Sequence, residues 1–355
     1  MNTTKKKWLF FVLAICLPSL AIPSFASAHQ GDDVQGTAGN TSLRCVAPPY
    51  LKAGDKVALI SPSYATSMEN VEKTADILWG WGLQPVIGPN VGKTFANKYA
   101  GSDAERLADI RWALSDPDVK AIICNRGGYG AIHLTDMLSL QELAAHPKWL
   151  VGFSDITNYH GLMNRAGVMS VHGTMSSLMA KSMGLDLTST LMRDILMGKL
   201  PRYELPSHPQ NITGRAQGIL VGGNICTLSP ILGSQADPTV QEGIILFIEE
   251  VEESFHNIDR MFNMLKLHGA LDRCRGVVLG EFTGCRADLG YESVEAMLRE
   301  YLKGYAIPVL CGFPGGHGDV NLPLVMGAPV TMDVAREGAR LCFNVDGTRK
   351  TVRTE

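Results

Sequence analysis

The 355-residue chain has no Cys-x-x-Cys pair, no basic run beyond its first few residues, and no late apolar stretch long enough to cross a bilayer. Each absence narrows the function. Without paired cysteines there is no zinc ligand set of the usual spacing and no redox dithiol, so no metal is expected. Without a basic tract nothing can follow a phosphate backbone, and nucleic acid is not expected as a partner. Without a late apolar span no stable membrane anchor is expected. Internal repeats and low-complexity tracts are also lacking.

The start of the chain carries what the rest lacks. Lys5, Lys6 and Lys7 precede an apolar run from Trp8 to Ile22, broken by Pro18, and Ala26-Ser27-Ala28 follows as a small-residue cleavage site. Ile15 before Cys16 does not suit a lipoprotein site. The expectation is a cleavable signal over 1–28 and a periplasmic or secreted mature chain of 327 residues from His29. Loss of three lysines leaves 29 basic against 35 acidic residues, a net charge of −6. Seven cysteines remain, an odd number that argues against a dense disulfide framework, although one bridge stays open. Cys124 and Cys226 lie among apolar residues and read as buried. Residues 29–48, rich in Gly, Thr, Ser and Asn, read as a flexible lead-in.

From Pro49 short apolar strands alternate with amphipathic helices. Strands are expected at Lys56–Ser61, Gln84–Gly88, Val119–Cys124 and Trp149–Phe153. Val71, Ala75 and Leu78 mark one helix, ended by Gly80 and Gly82. Ser102 and Glu105 make a capping box before another, with Leu107, Ile110 and Leu114 on one face. Fully apolar strands in β-α units predict a parallel sheet covered on both faces, here an N-terminal domain over 49–183. Residues 184–216, with Pro201, Pro206 and Pro209, read as a linker. Residues 217–355 read as a smaller, strand-rich mixed α/β domain. Its strands are expected at Gly218–Val221, Ile244–Ile248, Gly276–Leu279, Val309–Cys311, Pro329–Asp333 and Arg340–Asn344, with a helix marked by Ile258, Met261, Phe262 and Leu265.

Three residues carry the chemistry. Ser154 stands between the apolar strand Trp149–Phe153 and a helix start at Asp155. Read locally it is a helix cap. Read architecturally it is a nucleophile elbow, with Gly152 two residues before it and Ile156 where a second glycine is usual. Ligands bind beyond the carboxyl ends of parallel strands, and Ser61, Gly127, Gly128 and Ser154 all fall there. Glu249 abuts five apolar residues and opens an acidic cluster with Glu250, Glu252 and Glu253, which also reads as a solvated helix start. His317 lies in Gly315-Gly316-His317-Gly318, which otherwise reads as a surface loop. If the three converge, His317 takes the serine proton and Glu249 orients the imidazole. The oxyanion would rest on the N–H of Asp155 and one from the Gly127-Gly128 turn, taken as Gly128. Arg126 is a candidate for the substrate carboxylate.

At this point the chain resembles the LD-carboxypeptidase family of serine peptidases, which includes the microcin C immunity peptidases. The resemblance is carried by Gly54-Asp55-Lys56-Val57-Ala58, Arg126-Gly127-Gly128-Tyr129-Gly130, Gly152-Phe153-Ser154-Asp155-Ile156-Thr157, Gly222-Gly223-Asn224, Phe247-Ile248-Glu249-Glu250-Val251, Ile258-Asp259-Arg260 and Gly315-Gly316-His317-Gly318, in the family's order from about 50 to 335. It implies Ser154, Glu249 and His317 as nucleophile, acid and base, and adds Gly127, Gly223 and Asn224 to Arg126 as substrate-binding candidates. It further implies a Rossmann-like N-terminal domain and a smaller C-terminal domain with the catalytic site between them, no cofactor, and a chain able to form a homodimer. Where the family often has Glu-Asp after the strand, this chain has Glu249-Glu250. The export signal departs from the cytoplasmic peptidoglycan-recycling members.

The function expected is an exported serine carboxypeptidase acting on an L,D bond, releasing terminal D-alanine from a murein tetrapeptide. A peptidase degrading a peptidyl-nucleotide antibiotic is the alternative within the family. A two-lobed exported binding protein without chemistry is the alternative outside it.

Overall fold

The computed structural model describes residues 45–354. The export signal expected over 1–28, and the lead-in up to residue 44, lie outside the described residues. Residues 45–48, expected to be flexible, are packed: Val46 exchanges backbone hydrogen bonds with Gly167 and Met169 (2.8 and 2.9 Å), and Cys45 is buried.

The first half builds β1 (Lys56–Ile60), β2 (Gln84–Ile87), β3 (Val119–Cys124), β4 (Trp149–Gly152) and β5 (Ser170–His172). All neighbouring pairs among them are parallel, in the order 2-1-3-4-5. This is a doubly wound α/β sheet, with the order reversing between β1 and β3, where such sheets open a crevice for ligands. The strands are apolar almost throughout because helices cover both faces. The Ser102–Glu105 capping box forms as expected ahead of the helix Asp103–Ser115, which buries Leu107, Ile110 and Leu114.

The second sheet is made of β6 (Lys199–Pro206), β7 (Gly214–Asn224), β8 (Ile244–Val251), β9 (Cys274–Thr283), β10 (Val309–Leu310), β12 (Pro329–Val334), β13 (Gly338–Phe343) and β14 (Thr348–Arg353), while β11 (Leu324–Met326) leaves it to pair antiparallel with β5 of the first sheet. In the second sheet β7 to β10 are parallel and β7, β12, β13 and β6 are antiparallel. It has eight strands against six in the first.

The linker expected over 184–216 is not a linker. Asp186 caps a helix over Leu187–Leu196, and Lys199–Pro206 is β6, between β13 and β14. The ladder to β13 runs from Arg202 to Pro206, with Pro206 at its end, and Pro201 is paired only with Lys350 of β14.

The helix Thr157–Arg165 joins the two halves. Every residue from Thr157 to Asn164 is buried, although half of them are polar. Their hydrogen bonds are internal: His160 bridges Ser170 Oγ (2.9 Å) and the Gly152 carbonyl (2.8 Å), and Asn158 donates to the Asp155 carbonyl (3.1 Å). Thr157 Oγ1 accepts the Asn224 N–H of β7 (3.1 Å), which fixes the first turn after Ser154 against the second sheet.

Candidate active site

After β4 the chain stays extended at Phe153, turns left-handed at Ser154 (φ +63°), and enters a 3₁₀ turn over Ser154–Ile156. A side-chain-bearing residue in that region is strained by about 1–3 kcal/mol and persists only where the surroundings impose it. Here they do: a Cβ on Gly152 would lie 2.8 Å from the Ile156 side chain, so the glycine makes room for an isoleucine folded back over the elbow. Ile156 thus replaces the usual second glycine. The serine is not a cap, since neither helical start is capped by a side chain. Its hydroxyl donates instead to His317 Nε2, at 3.0 Å.

His317 in turn donates from Nδ1 to Glu249 Oε2, at 2.7 Å; a proton on Nδ1 is the tautomer that suits both contacts. Glu249 is fully buried near the end of β8, where the register to β9 shifts between Ile248 and Glu250. The extra residue on β9 bends the ladder and re-aims the neighbouring side chains. The histidine ring is 17% exposed and lies 4.9 Å from the Phe153 ring, centre to centre. Burial disfavours its charge, but the hydrogen bond and charge of Glu249, with Glu250 and Glu252 behind, outweigh burial and raise its pKa above the ordinary histidine value.

Of the paired acids, Glu249 faces the histidine. Glu250 is taken up by the N–H groups of Cys226 and Val251 (both 2.8 Å) and by Asn224 Nδ2 (2.9 Å). The acidic cluster is therefore not a solvated helix start: both glutamates belong to β8 and are buried, and the next helix begins at Phe255.

The expected oxyanion donors flank the serine. A Cβ on Gly127 would lie 3.0 Å from Ser154 Cβ, and Gly128 (φ +112°) lies so close to Tyr64 that a Cβ would meet its ring at 2.2 Å. Among the described residues neither the Gly128 nor the Asp155 N–H has a hydrogen-bond acceptor. The Asp155 side chain, 3% exposed, joins the two loops: it accepts the Ala131 N–H (2.8 Å) and the Ser63 hydroxyl. Burial raises its pKa against these hydrogen bonds. Buried Arg106 adds a second tie, donating from Nη1 to the carbonyls of Pro62 (2.8 Å) and Gly130 (2.9 Å). Tyr64, Arg106 and the Asp155 carboxylate were not expected from the sequence; the only local signal was the Ser61-Pro62-Ser63 strand end.

The substrate-binding candidates divide. Gly127 meets Ser154 directly. Arg126 beside it is exposed, its guanidinium 5.9 Å from the Tyr64 ring centre and donating to the Ala65 carbonyl (3.2 Å). Gly223 instead backs onto Thr157, whose Oγ1 would lie 2.4 Å from an added Cβ. The Asn224 carboxamide is occupied as a cap, accepting the Thr227 N–H (3.1 Å) while donating to Glu250. Both therefore make structural contacts rather than presenting side chains to a ligand. Cys226, expected to be buried, is exposed, and all seven cysteines among the described residues are free. A recess of about 410 Å3 opens beside His317, lined by Glu281, Thr283, Pro314, Gly318, Asp319 and Val320. Among the described residues no group of three or more His, Cys, Asp or Glu is disposed to hold a metal ion.

Comparison with known proteins places this geometry in context. The LD-carboxypeptidase N-terminal domain profile matches residues 57–173, and the LD-carboxypeptidase C-terminal domain profile matches 217–332. A probable murein peptide carboxypeptidase of Bacillus subtilis is 32% identical over 86% of this chain and 97% of its own length. The microcin C7 self-immunity protein of Escherichia coli is 28% identical over 80% of this chain and 92% of its own. The crystal structure of a muramoyltetrapeptide carboxypeptidase from Oxalobacter formigenes superposes with a TM-score of 0.74 at 26% identity, covering 82% of this chain and all of that one.

Proposed function

The chain belongs to the LD-carboxypeptidase family, and from that premise we propose that it is an exported serine carboxypeptidase that hydrolyses an L,D peptide bond and releases terminal D-alanine from murein tetrapeptide. The observation that carries this reading is the two-bond relay from Ser154 through His317 to Glu249, at 3.0 and 2.7 Å. The names of the relatives support the substrate class.

In the proposed reaction Ser154 Oγ attacks the scissile carbonyl carbon while its proton passes to His317 Nε2. The oxygen that gains charge is held by the N–H groups of Gly128 and Asp155. Glu249 stabilises the imidazolium that results. The intermediate collapses, the bond to nitrogen breaks, and His317 gives its proton to the departing amine of D-alanine. Water, deprotonated by the same histidine, then releases the shortened peptide from Ser154. Arg126 is the candidate for the terminal carboxylate. The lysine-led apolar segment supports export, and peptidoglycan lies outside the cytoplasmic membrane.

The test is to incubate the mature protein with purified disaccharide tetrapeptide and measure free D-alanine. Release at wild-type Ser154, with none from the intact pentapeptide-blocked stem, is expected; tight binding without release would favour a binding protein. Likeness to the microcin self-immunity protein supports a second reading, cleavage of a peptidyl-nucleotide. Export counts against it, because such toxic nucleotides act inside the cell. Cleavage of an aminoacyl sulfamoyl nucleoside in place of the tetrapeptide would select it.

A further inference from the structure

His317 stands on a glycine-rich loop with no side chain of its own gripping the ring, yet its contact with Glu249 needs a fixed backbone. The peptide N–H just before it, that of Gly316, donates to Asn321 Oδ1 at 2.9 Å. Gly316 has φ +124°, and a Cβ there would lie 2.5 Å from Glu249 Oε2, so this peptide runs directly against the acid. Asn321 is 5% exposed and is anchored in turn: its own N–H donates to Thr188 Oγ1 (3.3 Å), and the next N–H, of Leu322, closes onto the Pro314 carbonyl (2.8 Å). The Asn321 side chain also neighbours His172, the last residue of β5. Asn321 Nδ2 and both ring nitrogens of His172 are buried without a hydrogen-bond partner.

His172 packs between the rings of Phe153 (5.8 Å) and Phe247 (5.1 Å). Burial, with His160 and His317 nearby, holds its pKa well below the ordinary histidine value. The backbone donor holds the carboxamide oxygen toward Gly316.

We propose that Asn321 is a positioning residue for His317: it fixes the peptide that holds the imidazole between Glu249 and Ser154. It touches no substrate. The inference rests on the reading of His317 as the general base.

The experiment compares Asn321→Ala, Asn321→Asp and His317→Ala with the wild type for kcat, KM and the pH profile of kcat/KM. Asn321→Ala is expected to lower kcat by roughly 10- to 100-fold, the scale of a misplaced catalytic group. KM should stay within about twofold, and the acid limb should move to lower pH as the imidazole loosens from Glu249. Asn321→Asp keeps an acceptor oxygen for Gly316 and should recover most of the lost kcat. Wild-type kcat and pH profile in Asn321→Ala, or no recovery in Asn321→Asp, would overturn the proposal. If Asn321→Ala does not fold, Thr188→Val, which removes the acceptor of the Asn321 N–H, should show the same acid-limb shift; an unchanged limb would equally overturn it. Full activity in His317→Ala would remove the general-base reading itself, whereas an inactive His317→Ala beside an unaffected Asn321→Ala would sink only the role of Asn321.

Discussion

The serine's half of the site is assembled from neighbours in sequence, whereas the half that carries the base is assembled from residues far apart. Gly152, Ser154, Asp155 and Ile156 set the elbow within five residues, through one left-handed φ and one close contact. The loop of His317 has a local tie, from the Gly316 N–H to Asn321, but its ring is set from afar. It is placed by Glu249, 68 residues away, and meets a serine 163 residues away. One half stores its geometry as backbone strain and the other as long-range hydrogen bonds between segments. The first half should therefore tolerate changes elsewhere in the fold, and the second should fail whenever the junction of the two sheets loosens.

The largest effect expected is from Ser154→Ala, which removes the nucleophile while leaving the elbow. Turnover of the tetrapeptide should fall by about 10⁴-fold or more, with the thermal midpoint little changed, because alanine is held in the same left-handed conformation. Retention of full activity would break the comparison at its first member.

Glu249→Gln comes next and probes the distant half. The neutral amide no longer favours the imidazolium or fixes its tautomer, and a loss of roughly 10³- to 10⁴-fold in kcat is expected. The sign of the pH effect follows from the raised pKa of His317. The base works only when neutral, so activity is lost as pH falls through that raised value. Removing the Glu249 charge leaves burial unopposed at that contact, and the acid limb should move to lower pH. A limb that stays in place would assign the titration to another group.

These two halves also differ in how far they could be read from residues alone. The β-α alternation, the Ser102 capping box and the apolar strand before Ser154 are local patterns, and they were legible. So was the second sheet's core, because Ile244–Ile248 and the helix around Phe262 carry strong apolar periodicity. What failed was decided by distant partners. Lys199–Pro206 reads as a linker because of its prolines, and only its pairing with β13 and β14, both distant in sequence, makes it a strand. The helix Leu187–Leu196 did carry a signal, an Asp186 cap with Leu191 and Ile195 following, masked by the polar and proline-rich stretch after it. Leu324–Met326 gives no sign that it joins the other sheet. Within the site, Ser154, Glu249 and His317 stood out by context, but the contact of Asn224 with Glu250 was not legible, because that partner lies 26 residues away.

Smaller effects sharpen the contrast. Gly152→Ala should crowd Ile156 and cost about 1–3 kcal/mol of stability in chemical denaturation. Adding Ile156→Ala should restore part of that loss, because the conflict is local. Were the double variant no better than the single one, the elbow would be held by something other than this contact. Asn224→Ala should cost about 1 kcal/mol, the value of a lost helix cap, and lower the thermal midpoint accordingly. KM for the tetrapeptide should stay near wild type, and a rise of tenfold or more would return Asn224 to the substrate-binding residues.

The central claim, that the two halves meet in a working relay, is tested most directly by the rate at which a fluorophosphonate modifies the protein, read by mass spectrometry of the intact chain and its peptides. A single adduct on Ser154 is predicted, forming at least about 10²-fold faster in wild type than in His317→Ala and slowing in wild type as pH falls through the raised histidine pKa. Equal labelling rates with and without His317, or an adduct on any other residue, would contradict it.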